Sequence, residues 1–60
     1  MKVKYIGVID TVAIDREKVY DVISIERGWY RIMTELHDDY LFHPSAFELV
    51  EDGEAPPILP

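Results

Sequence analysis

The sequence predicts an all-β fold, a small closed barrel of five antiparallel strands with one short helical turn before the last strand. Apolar residues along most of the chain recur with a period of two rather than 3.6. Glycine, proline and aspartate separate the short apolar runs. The chain has 60 residues and no cysteine, so it forms one domain without disulfide bonds. Closing the sheet would leave no exposed strand edges in so small a domain.

The first two strands are predicted on either side of a nine-residue connection, residues 10–18. The first strand covers residues 2–9, in which lysines alternate with apolar or small residues. The second covers residues 19–25 and is almost wholly β-branched or aromatic. We interpret residues 15–18 as a turn that Asp15 opens.

The third predicted strand covers residues 29–36 and follows the pair Arg27-Gly28. Glycine supplies the positive φ that a three-residue bulged hairpin requires, so we predict such a hairpin here. Alternation along the strand predicts two faces. One face has Tyr30, Ile32 and Leu36, and the other has Trp29, Arg31 and Met33.

The fourth strand is predicted at residues 40–43, after a turn at residues 37–39. Pro44 cannot donate to a β-ladder, so it ends this strand and begins a helical turn over 44–47. A fifth strand follows at 48–50. An α-helix over 44–52 is the alternative, because alanine, glutamate and leucine favour helices.

These elements place the barrel at residues 1–51 and leave residues 52–60 as an acidic, then proline-rich C-terminal tail. The tail has little to bury, so we expect it to be mobile or extended. Its last four residues have the Pro-x-x-Pro spacing of a polyproline ligand. One hypothesis is that this tail lies across an aromatic groove of its own barrel or of a second copy.

The charge is unevenly distributed along the chain. Residues 1–31 carry six bases and five acids, whereas residues 32–60 carry seven acids and no base. Nucleic-acid binders concentrate lysine and arginine, so a net charge of −6 disfavours nucleic acid as a partner. The hypothesis that remains for nucleic acid rests on a strip of bases, Lys2, Lys4, Lys18, Arg27 and Arg31.

The sequence contains no recognisable membrane, catalytic or cofactor motif. No apolar run reaches the ~20 residues that a membrane span needs, and no signal peptide is apparent, so we expect a cytoplasmic protein. Neither serine lies in a nucleophile-elbow motif, and no glycine-rich phosphate loop occurs, so we predict neither enzymatic activity nor a cofactor. His37, Asp39 and His43 share parity, but about 20 Å of strand separates the two histidines, so we predict no metal site.

Two stretches carry a family resemblance. Trp29-Tyr30 followed by Pro44-Ser45-Ala46-Phe47 resembles the second half of a Src-homology-3 domain, where a Trp opens the third strand. The pattern over residues 18–51 is more similar to short uncharacterised bacterial proteins with a single Src-homology-3-like barrel. This resemblance implies the barrel fold and a bacterial origin, but no activity. Phe47 stands where peptide-binding members have a tyrosine, and His43 where they bury an aliphatic residue.

Trp29 is the strongest candidate contact residue, because the alternation points it away from the core. Exposed, rigid aromatic side chains commonly anchor interaction surfaces. The candidate binding residues are Trp29, Tyr30, Pro44 and Phe47, with Tyr5 and Tyr40 as weaker additions. We therefore expect a non-catalytic module that binds an unknown protein or peptide. The alternative is a structural homo-oligomer, for example a homodimer, that buries the aromatic strip in its own interface.

Overall fold

The computed structural model describes residues 1–8 and 12–60, which form six β-strands and one 3-10 turn. In chain order the elements are β1 Lys2–Tyr5, β2 Val19–Glu26, β3 Trp29–Met33, β4 Asp39–Phe42, the 3-10 turn Pro44–Ala46, β5 Phe47–Glu51 and β6 Ile58–Leu59. The prediction of an all-β fold with a short helical turn before the fifth strand is confirmed. Strand β1 ends at Tyr5, so the predicted extension of the first strand over residues 6–8 is wrong, and its predicted last residue, 9, lies outside the described residues.

The strand order is β4-β3-β2-β1-β5, with antiparallel neighbours throughout, and β6 pairs with β2 in parallel. Among the described strands, β4 and β5 end this order and do not pair with each other, so the prediction of a closed barrel is wrong. The 3-10 turn directs β5 onto β1 instead. The two end strands meet through aromatic side chains, with the rings of Phe42 and Phe47 5.8 Å apart.

Strand β2 connects the two halves of the sheet. Its first residues pair with β1, and residues from Val22 onward pair with β3. The β2–β3 register shifts between Val22 and Ser24. A bulge of this kind bends a strand and increases its twist, so one eight-residue strand can pair with β1 in one half of the sheet and with β3 in the other.

The core is one cluster of apolar and aromatic side chains. Val3 and Ile32 are fully buried at its centre, with a relative exposure of 0%. Ile14, which lies in the connection before β2, also belongs to the cluster. The backbone N–H of Asp15 donates to the Tyr20 hydroxyl at 2.8 Å, which fixes this connection against β2. The buried apolar residues are Val3, Tyr5, Ile14, Tyr20, Val22, Ile32 and Phe47.

Two turns lie where the sequence predicts them, but one of the two has a different turn type. Lys18 N–H donates to the carbonyl of Asp15 at 3.4 Å, as expected of a turn opened by Asp15. The hairpin between β2 and β3 has two residues, because Glu26 pairs directly with Trp29. Arg27 and Gly28 both have positive φ, 54° and 83°, which is the type I′ pattern. The predicted three-residue bulged hairpin is therefore wrong.

Strand β3 ends at Met33, three residues before its predicted end. Thr34 N–H donates to the carbonyl of Asp38 at 2.8 Å and closes the loop to β4. Leu36 lies in this loop and is exposed, so its predicted inward orientation is wrong. His37 adopts the left-handed conformation that the turn needs, with φ 64°.

The α-helical alternative for residues 44–52 is also wrong. Phe47 has φ −132° and ψ 154°, which is extended backbone and ends the 3-10 turn after three residues. Its side chain enters the core, and β5 continues from it to Glu51.

The C-terminal segment contains a strand that the sequence analysis does not predict. Ile58 and Leu59 form β6, opposite Ile25 and Glu26 of β2. These two residues are extended, and they are paired with the sheet.

Candidate binding surface

The alternation of β3 separates an outer face of the sheet from the core. Trp29, Arg31 and Met33 point outward, whereas Tyr30 and Ile32 pack in or against the core. Trp29 has a relative exposure of 44%. Leu41 of β4 lies opposite Arg31 and is also exposed. We call the surface formed by Trp29, Arg31, Met33 and Leu41 the outer face.

Arg31 at the centre of the outer face is neutralised by two carboxylates. Its Nη2 donates to Glu26 Oε1 at 3.0 Å, and its Nη1 donates to Asp39 Oδ2 at 3.0 Å. The Ser24 hydroxyl donates to Glu26 Oε2 at 2.8 Å. Hydrogen bonds from Arg31 and then from Ser24 lower the pKa of Glu26 to about 2. The same bond to Glu26 raises the pKa of Arg31, so Arg31 and Glu26 stay ionised at neutral pH.

His43 fixes one side of the Trp29 indole. The two rings lie 5.3 Å apart at an interplanar angle of 85°, an edge-to-face contact. The backbone N–H of Ser45 donates to His43 Nδ1 at 3.1 Å, and the Ser45 hydroxyl lies 2.8 Å from the same nitrogen. His43 caps the 3-10 turn in this way. Since the cap holds His43, it also restricts the orientation of Trp29.

The sequence pattern alone does not place His43 at this surface. Tyr30 pairs with Phe42 across β3 and β4, so the residues one step further along, Trp29 and His43, emerge together on the outer face. This strand register could have indicated the contact, but it depends on the length of the β3–β4 loop, which the sequence does not fix.

Two of the predicted binding residues lie in the core. Tyr5 and Phe47 are buried, with ring centroids 5.5 Å apart. Phe47 also contacts Tyr30, at 6.1 Å, and the half-buried Tyr30 packs against the core from β3. These rings stabilise the sheet from inside and do not form a groove with Trp29, because the alternation of β3 places Trp29 and Tyr30 on opposite faces. Their predicted place in an exposed strip is therefore corrected.

Pro44 and Tyr40 have different relations to Trp29. Pro44 is half-buried and follows His43 directly, so it lies at the border of the outer face. Tyr40 is exposed but pairs with Ile32, which places it on the side opposite Trp29. The structure thus brings His43 against Trp29, places Pro44 next to His43 in the chain, and separates Tyr40 from them.

The described surface is open. Within residues 1–8 and 12–60 the structure shows no pocket and no group of three side chains that could hold a metal ion. In the same part of the chain, no helix is long and apolar enough to cross a membrane. A partner of the outer face would therefore meet a nearly flat surface of strands.

Comparison with known proteins found no relative of this chain. No protein-family model matches it, and no curated protein and no solved structure is significantly similar to it.

Proposed function

We propose that this chain is a small non-catalytic interaction module that binds a protein or an extended peptide through the outer face. The observation that supports the proposal is Trp29, a large aromatic side chain that is 44% exposed and yet held in place by His43. A side chain that is already ordered loses little conformational entropy when a partner covers it. Aromatic anchors of this kind dominate the energetics of many interfaces.

The chemistry of the outer face favours a partner with apolar side chains. Trp29, Met33 and Leu41 offer apolar area around Arg31, whose charge is balanced by its own carboxylates. A partner therefore gains from covering the apolar side chains without supplying a carboxylate for Arg31. A cytoplasmic location and a bacterial origin are part of this proposal.

The test compares two alanine variants in affinity capture from the native cell, followed by binding measurements with the purified partner. Trp29→Ala should weaken that binding by roughly 30-fold or more, the loss of about 2 kcal/mol that defines an interface hot spot. Val50→Ala is the matched control, because Val50 is similarly exposed but lies on β5. Equal binding by Trp29→Ala and the unmodified chain would refute the proposal.

A structural homo-oligomer is the second candidate function. Among the described strands, β4 and β5 end the strand order and each leaves one edge unpaired. Such edges can pair with a second copy. Light scattering would give a mass above that of the 7.0 kDa monomer, and Trp29→Ala would lower it if the outer face is the interface.

The basic residues give less support to a nucleic-acid partner. Lys2, Lys4, Lys18 and Arg31 each lie within ion-pair distance of a carboxylate of the same chain. Phosphates would have to displace these carboxylates. Retention on single-stranded DNA or RNA at low salt is the result that would favour this function.

A further inference from the structure

The edge of β2 that faces β1 is covered by two different strands in succession. Strand β1 pairs with residues up to Asp21, and Val22 N–H donates to the carbonyl of Met1. Beyond this point β6 pairs with the same edge of β2. Ile25 N–H donates to the Pro57 carbonyl at 2.8 Å, and Arg27 N–H donates to the Leu59 carbonyl at 3.2 Å.

Backbone hydrogen bonds hold β6, and side-chain burial contributes little. Ile58 is 75% exposed and Leu59 is 46% exposed. A backbone hydrogen bond contributes only modestly to net stability, because water replaces it when the strand leaves. The segment before β6 is also attached through the Met1 ammonium group, which donates to the Glu54 carbonyl at 3.0 Å, and through the half-buried Pro56. Strand β6 can therefore leave β2 without disrupting the core.

We propose that the β2 edge at Ile25–Arg27 is a strand-acceptor site, and that the C-terminal segment of a second copy of this chain binds it in place of β6. Two copies would then exchange their C-terminal strands reciprocally. This inference goes beyond the proposed function, because it uses a strand edge and not the outer face.

The chemistry of the site favours this occupant. The acceptor is the pair of N–H groups of Ile25 and Arg27, and the segment that already satisfies them is the chain's own Pro-Ile-Leu-Pro. An identical segment from another copy satisfies them equally well, which is why exchange of identical elements is a low-cost route to dimers. Residues 52–57 link β5 to β6, and six extended residues reach about 20 Å. A link of that length can carry β6 to a neighbouring copy.

The chain's own β6 segment is the main competitor of a segment from a second copy. Its short link to β5 gives it an effective concentration of about mM at the β2 edge. Exchange should therefore increase with protein concentration, and weakening the chain's own β6 segment should open the site to a free peptide.

The experiment uses the full chain and a labelled synthetic peptide with the sequence of residues 54–60. Leu59→Asp places a carboxylate opposite Glu26, which Arg31 holds in the ionised form. Like charges directly opposite one another destabilise strand pairing, so the variant should release β6. The peptide should bind Leu59→Asp at least tenfold more tightly than the unmodified chain.

Val8→Asp is the matched control, because it adds the same charge at a side chain that is 88% exposed and remote from β6 in sequence. It should bind the peptide as the unmodified chain does. Circular dichroism checks that both variants stay folded. Equal peptide binding by Leu59→Asp and Val8→Asp, or no binding by either, would overturn the proposal.

Light scattering of the unmodified chain gives a second readout that needs no variant. Dimers should appear as the concentration rises and should be lost when excess peptide is added. A monomer at every concentration would overturn the exchange. A dimer that Trp29→Ala abolishes and Leu59→Asp preserves would overturn it too, and would assign the dimer to the outer face.

Discussion

Strands β1 and β6 lie along the same edge of β2, yet different interactions hold them. Strand β1 brings the fully buried Val3 and the buried Tyr5 into the core. Strand β6 brings no buried side chain, since Ile58 is largely exposed and Leu59 is about half exposed. Both strands hydrogen-bond to β2. We therefore expect the buried side chains of β1, which also pairs with β5, to hold it more firmly than hydrogen bonds to β2 hold β6.

The first prediction compares how much an alanine substitution in β1 and one in β6 lower the free energy of unfolding. Val3→Ala removes two methyl groups from a fully buried site and should lower the free energy of unfolding by about 2 kcal/mol. Ile58→Ala should change it by less than about 0.5 kcal/mol, since its side chain is largely exposed. Urea denaturation measures both. Similar losses for the two variants would contradict the distinction between the strands.

The second prediction concerns the loss of stability in acid. The group that acid protonates is Glu26, which lies on β2 opposite Leu59 of β6. The pKa of Glu26 is lowered to about 2 by hydrogen bonds from Arg31 and Ser24. Its stabilising contribution is complete above its ordinary pKa of 4.5 and is lost as the pH falls toward 2. A hydrogen bond from Lys18 lowers the pKa of Glu35 as well, so this carboxylate acts in the same direction.

Thermal unfolding measured between pH 7 and pH 2 should therefore show a midpoint that falls below pH 4.5. We expect a smaller effect than that of Val3→Ala, because the ion pairs are partly exposed to solvent. Glu26→Gln is the control. It should be less stable at neutral pH and lose less stability in acid, and an unchanged pH profile would show that this carboxylate contributes nothing.

Much of the fold is predictable from local sequence, because period-two alternation and turn residues report directly on strands. The runs at residues 19–25 and 29–33 are predictable as strands because β-branched and aromatic residues dominate both stretches. Closure of the barrel is a property of the whole sheet. Whether β4 meets β5 depends on strand pairing, which local patterns do not encode.

Strand β6 is a second feature that local sequence patterns do not predict. Two residues between prolines have no alternation to detect, and they form a strand only because β2 has N–H groups free beyond the end of β1. Ile14 is similar, since it follows the apolar Val12 and Ala13 in the connection, and nothing in the sequence shows that the core will accept Ile14 while Val12 stays exposed.

The sequence predicts the candidate site only where the alternation within a single strand determines which way a side chain points. The parity of β3 correctly places Trp29 away from Ile32. Tyr5 and Phe47 come from other strands, and their burial depends on how β1 and β5 pack together. The contact between His43 and Trp29 requires the register of β3 against β4. Single-strand patterns cannot supply such relations between strands.

Amide hydrogen exchange tests the comparison of β1 and β6 most directly. The N–H groups of Ile25 and Arg27 donate to the β6 segment, whereas that of Tyr5 donates to the Lys18 carbonyl beside the core. If β6 detaches by local opening, the Ile25 and Arg27 amides should exchange at least about tenfold faster than the Tyr5 amide, after correction for intrinsic rates. Equal protection at all three amides would show that β6 opens only when the whole domain unfolds, and would contradict the account.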